Sequence, residues 1–226
     1  MKYSLMNNYN IKTLNSISKK MHSRYSMLYA KYGYHIKTLG WGSKKQQHYR
    51  FLQSLQTGVI FNKKRILDLG CGFGDYFHFL QENNTFISSY QGIDINEDLI
   101  FEAKKLHEGI PNCDFNILDL ATTSNNEPIA DVGVMLGLLN LDLNGEMNNY
   151  DYSFNLIKNA FELVSEVLIV DFISIKRDVT YPKEDHIFYH DPAKVLDFAY
   201  RITNNVILKD DYLPIPQKEF MLVFFK

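Results

Sequence analysis

The chain has 226 residues, 46% of them hydrophobic, and a formal net charge of −2. That is enough apolar length for one substantial core and excludes a disordered tail, while the mild acidity argues against sequence-independent nucleic-acid binding, which needs a basic surface. The first ten residues are polar with no apolar signal core. The longest apolar run, near residues 132–141, is far short of the ~20 residues of a membrane span, so a soluble, cytoplasmic protein is expected.

Ile11, Leu14, Ile17, Met21, Tyr25 and Leu28 recur every three or four residues and predict an amphipathic helix. An aromatic, polar stretch at 29–36 and the turn Gly40-Trp41-Gly42 follow, and Ser43 suits the cap of a second helix over 44–55, with Tyr49, Leu52 and Leu55 on one face. From residue 61 the pattern alternates. Strands are predicted at 65–69, 90–95, 113–118, 132–136 and 167–172, with helices at 76–81, 98–107 (N-cap Asn96), 150–163 and, behind Asp191 and Pro192, 192–200. Such alternation gives a parallel sheet covered on both faces. Residues 205–208 and 219–225 read as a closing strand pair around Pro214 and Pro216. There is no internal repeat or low-complexity linker.

The first strand runs into Gly70, Gly72 and Gly74, and then into a helix. This is a corner at which backbone approaches a ligand closely and a helix start offers free N–H groups. Dinucleotide enzymes want Gly-x-Gly-x-x-Gly, but here Asp75 stands where the third glycine belongs, beside Asp68 and the other glycines. An acid there suits a ligand carrying an ammonium better than a pyrophosphate, which disfavours an NAD-binding oxidoreductase. Asp68, Gly70, Gly72 and Gly74 match the D/E-x-G-x-G-x-G motif completely, and the stretch resembles the first motif of class I S-adenosylmethionine (SAM) dependent methyltransferases.

The resemblance covers residues 61–226. It implies an α/β, Rossmann-like, seven-stranded and mostly parallel sheet whose last strand is antiparallel. Residues 1–60 are expected to form an N-terminal helical cap. The resemblance implies SAM as cofactor, held by Asp68, Gly70, Cys71, Gly72 and Asp75. Asp94, twenty positions after Gly74 at the expected end of the second strand, suits the ribose hydroxyls, with Ile95 as an apolar wall for the adenine. Asp119 and Leu120 stand where the family binds the adenine edge, and Leu136 with Gly137 where the methionine part lies. Cys71 is expected to be a small filler, since a nucleophilic thiol needs a base and an electropositive setting.

Arg50 suits a cofactor carboxylate and Trp41 suits the sulfonium, because an aromatic face attracts a cation. The loop at 180–191 is rich in titratable and aromatic groups, and His186 and His190 are candidate general bases there. With Glu184 and Asp185 their spacing fits no established metal-ligand pattern, and two cysteines, Cys71 and Cys113, are too few for a zinc or disulfide framework, so no metal is expected. The Asn/Asp-Pro-Pro-Tyr/Phe signature of exocyclic-amine methyltransferases is absent. The expected function is therefore transfer of a methyl group from SAM to oxygen or nitrogen of a small molecule by in-line displacement. The alternatives are a methyltransferase acting on protein or RNA, and a protein that binds SAM without transferring methyl. Membrane and nucleic-acid partners are not expected, and the oligomeric state stays open.

Overall fold

The computed structural model describes residues 10–123, 127–176 and 181–226. The polar stretch at 1–9 and Thr180 of the histidine loop lie outside the described residues. The elements in chain order are α1 (Ile11–Tyr32), α2 (Lys44–Leu55), β1 (Arg65–Leu69), α3 (Asp75–Glu82), β2 (Ser89–Asp94), α4 (Glu97–Leu106), β3 (Cys113–Ile117), β4 (Ala130–Met135), α5 (Asn149–Glu162), β5 (Val164–Ile173), α6 (Pro192–Ile202), β6 (Val206–Lys209) and β7 (Glu219–Phe225). They form one seven-stranded sheet in the order β3-β2-β1-β4-β5-β7-β6. β7 lies between β5 and β6 and is antiparallel to both, while the other neighbours are parallel. The closing pair therefore ends with its last strand inserted in the sheet, as the resemblance implied.

Period-two alternation separates two cores. Leu67 and Leu69 pack into one with Ile93, Leu168 and Val170. Ile66 packs into the other with Tyr90, Val132, Val134 and Ile169. The order in which strands are added reverses between β1 and β4, and a cleft opens there at the carboxyl ends of the strands.

Two elements differ from the sequence expectation in instructive ways. α1 continues to Tyr32, through residues that looked merely aromatic and polar, because Ser26 donates to Asp98 (2.6 Å) and Tyr29 to Glu102 (2.7 Å) on α4. In α2 the apolar face of Tyr49, Leu52 and Leu55 is only partly buried. The most buried face is Gln47, Arg50, Phe51, Gln53 and Ser54, since Gln47 and Ser54 bond Asp75 and Tyr76 of α3 and Arg50 bonds Glu219 of β7. No helix of the described residues is long and apolar enough to cross a membrane.

Candidate functional site

The turn after β1 is built by positive φ at Gly70 (77°), Gly72 (55°) and Gly74 (79°). A Cβ on Gly74 would stand 2.6 Å from the Phe115 ring and one on Gly72 2.7 Å from Leu39, so side chains are excluded by space as well as by backbone. The Gly70 and Cys71 N–H groups donate to Ile93 O at 2.8 and 3.0 Å, which ties the turn to β2. Asp94, at the end of β2, accepts from Gly72 N (3.0 Å) through one oxygen and from Asn96 N (2.9 Å) through the other.

The cleft encloses about 1190 Å³ outside protein atoms, part of it open to solvent. The structure brings Trp41, Asp68, Gly70, Cys71, Gly72, Asp75, Asp94, Ile95, Asp119, Leu120 and Leu136 to its wall. The sequence reading missed Tyr25 and Tyr152, and Gln47, which reaches in from α2. Tyr25 and Met21 lie four apart on α1 and read as core-facing; Gln47 carried no signal at all.

Four carboxylates and no basic side chain line this cleft among the described residues. Asp68 is buried and accepts from the Tyr90 hydroxyl. Burial raises its carboxyl to about 7, against the Tyr90 hydrogen bond, with Asp94 and Asp75 adding to the rise. Burial also raises Asp94, offset by its backbone N–H donors. Asp75 accepts from Tyr34 Oη (2.8 Å) and Gln47 Nε2 (3.0 Å), which joins the α1–α2 segment to the start of α3. Asp119 is fixed by Ala121 N, which donates to it at 2.9 Å. Burial pushes the Cys71 thiol up, and Asp68 and Asp94 push it further, the reverse of an activated nucleophile.

Two expected site residues are placed elsewhere. Arg50 lies outside the cleft wall and is 8% exposed. Its Nε donates to Glu219 Oε2 at 2.9 Å and lies 3.0 Å from Asp171 Oδ2, and its Nη2 bonds the other Glu219 oxygen. Burial opposes the guanidinium charge, and Glu219 and Asp171 more than offset it. Two carboxylates thus engage Nε and Nη2, and Trp41 stacks on the plane at 4.5 Å. Arg50, expected at a cofactor carboxylate, is here engaged with Asp171 and Glu219. Asp171 also accepts from Gly137 N at 2.5 Å, and a Cβ on Gly137 would meet Trp41 at 2.8 Å. The cluster therefore sets the position of Trp41. An acid interrupting the apolar run of β5 was the signal for Asp171.

His190 is fully buried. Its ring Nε2 pairs with Ser153 Oγ at 3.2 Å, and Phe172, Phe188 and Tyr150 pack around it. Burial lowers its imidazole to about 3. It lines neither the cleft nor the second cavity beside it, so the ring expected as a general base is held inside the core. His186 lies instead at the wall of a second cavity beside the cleft.

The family model described as Methyltransferase domain matches residues 60–177, just over half of the chain. No curated protein matches the sequence. Among solved structures, magnesium protoporphyrin IX methyltransferase from Synechocystis PCC 6803 with bound SAH is similar at 14% identity and a TM-score of 0.60, over 96% of this chain and 99% of that one. The DhpI–SAH complex is similar at 14% identity and 0.60, over 95% and 97%. A TehB-like SAM-dependent methyltransferase from Corynebacterium glutamicum ATCC 13032 follows at 17% identity and 0.54, over 94% and 99%. At such identities the likeness is one of fold.

Proposed function

The chain belongs to the methyltransferase domain family, with the class I SAM-dependent fold, and from that premise we propose that it transfers the methyl group of SAM to a small-molecule acceptor. The observation that carries this reading is the charge of the cleft: four carboxylates, no cation, and a glycine turn at its base. SAM bears a sulfonium and an ammonium against one carboxylate, whereas NAD brings two phosphates that such a wall would repel. Asp94 would exchange its backbone donors for the ribose hydroxyls, Asp119 would take the adenine edge, and Asp68 and Asp75 would face the amino-acid end. The sulfonium supplies an already activated methyl, so much of the catalysis comes from alignment. The residues of this chain hold the ligand and exclude water, and α1 and α2, with the turn at Trp41, serve as a cap over residues 61–226.

Isothermal titration with S-adenosylhomocysteine (SAH), with NAD as control, tests the reading. One-site binding of SAH alone is expected; preference for NAD, or no binding of SAH, would overturn it. Asp94→Ala should weaken SAH binding by about 1.5–3 kcal/mol, the range for hydrogen bonds to a charged group. An unchanged affinity would remove Asp94 from the ribose role.

A further inference from the structure

Beside the cofactor cleft lies a second cavity with about 1000 Å³ of space outside protein atoms, part of it open to solvent. It shares Tyr25, Leu39, Trp41, Gly137 and Leu141 with the cleft, so these residues form the boundary between the two. Its far side is closed by the histidine loop and by the loop between β6 and β7. Glu184 is held there on three sides. Its Oε1 accepts from Tyr181 Oη (2.9 Å) and Gln217 Nε2 (2.8 Å), and its backbone N–H donates to Tyr189 Oη (3.0 Å). The remaining carboxylate oxygen, Oε2, lies 3.5 Å from His186 Nε2. The backbone of His186 is itself fixed, accepting from Asp142 N at 3.0 Å.

The same cavity is walled by two buried amides with unsatisfied atoms. Asn140 is 6% exposed and Gln217 7%. Asn140 Oδ1 accepts from Ile173 N (3.0 Å), leaving Nδ2 as a donor without a partner; Gln217 gives Nε2 to Glu184, leaving Oε1 as an acceptor without one. Buried polar atoms left this way call for a ligand or water to complete them. Arg24 and Arg50 balance Glu184 and Glu219, and Leu28, Ile187, Ile215 and Pro216 supply apolar wall.

We propose that this cavity is the acceptor site, that Glu184 positions His186 as its general base, and that the acceptor is an uncharged molecule methylated on a hydroxyl oxygen. The inference rests on the methyl-transfer reading above. A neutral amine needs no base before it attacks and a carboxylate is already ionised, so an exposed imidazole at the cavity wall, 3.5 Å from the Glu184 carboxylate through Nε2 and with Nδ1 left as base, matches an alcohol or phenol. The hydroxyl oxygen forms its bond to the methyl carbon as the carbon–sulfur bond breaks. The electron pair of that bond stays on sulfur, and the hydroxyl proton passes to His186. Balanced charge and apolar walls fit a neutral body, while Asn140 and Gln217 offer it one donor and one acceptor.

The test uses the full chain, first confirmed to bind SAH by calorimetry, with radiolabelled SAM and matched acceptors: 1-naphthol against 1-naphthylamine, and benzyl alcohol against benzylamine. Label is expected on the hydroxyl members only. His186→Ala should lower kcat about 100-fold or more, leave SAH affinity unchanged, and recover part of its rate in added imidazole. Glu184→Gln should lower kcat about tenfold with KM held, the mark of a group acting through the base. Saturation-transfer NMR of benzyl alcohol on the SAH complex should give a signal that His186→Ala retains. Labelling of the amines, no labelling of either hydroxyl compound, no such NMR signal, or a His186→Ala rate equal to that of the unmodified protein would overturn the inference while SAH binding left the cofactor reading standing. Loss of SAH binding itself would sink both.

Discussion

Replacing Arg50 with alanine is expected to destabilise the protein by about 3–5 kcal/mol, because it strands buried carboxylates without their cation. Asp171 and Glu219 are 0% and 3% exposed, and Arg50 is the cation that touches both. Burial already raises Asp171 to about 6 even with the guanidinium beside it. Without that charge Asp171 is pushed further up. A carboxylate raised in the folded state contributes stability below its unfolded value and loses it as pH rises. The deficit of Arg50→Ala should therefore be largest at neutral pH and shrink toward pH 5. Urea melts at both values measure it, and a loss below about 1 kcal/mol at neutral pH would show that the cluster is not a true buried ion network. The triple replacement Arg50→Met, Asp171→Asn and Glu219→Gln should recover much of the loss, since no charge is then left in the interior. Trp41, which stacks on Arg50, should show red-shifted fluorescence in Arg50→Ala.

The second large effect belongs to His190. Its folded value is about 3, against about 6.5 when unfolded. The unfolded chain thus takes a proton that the native one refuses. Stability from this group is present above pH 6.5 and falls by about 1.4 kcal/mol per unit as pH drops toward 3. His190→Gln lacks that dependence, so the advantage of the unmodified protein should narrow by about 2 kcal/mol between pH 6.5 and pH 5. Comparing the two proteins isolates this group from Asp68 and Asp171, whose raised values act with the opposite sign. A gap that stays constant with pH would mean that water reaches the ring. The same burial sets His190 apart from a base: Phe172, Phe188 and Tyr150 pack around its ring and Ser153 takes its Nε2.

Much of the cofactor corner is legible in the amino-acid sequence. Asp68, Asp94 and Asp119 lie at or just past the ends of β1, β2 and β3, whose period and spacing are local properties, and the turn from Gly70 to Asp75 at the start of α3 is dictated by φ values that glycine adopts. Each helix N-cap read from the sequence, Ser43, Asn96 and Asp191, also caps in the structure, because capping needs only a side-chain oxygen and the next turn.

What the sequence by itself determined is therefore whatever short-range geometry controls: strand and helix identity, the glycine turn, the caps, and the line of acids at the ends of consecutive strands. Only the tertiary structure decided the fate of side chains whose partners lie far away in the chain. Arg50 meets Glu219 across 169 positions, and so becomes part of the support of Trp41. His190 and His186 are four residues apart, yet one enters the core beneath α5 while the other lines a cavity with Glu184 and Gln217. The physical reason is that burial and long-range charge pairing set the protonation and reach of a side chain, and neither is a property of its neighbours in sequence.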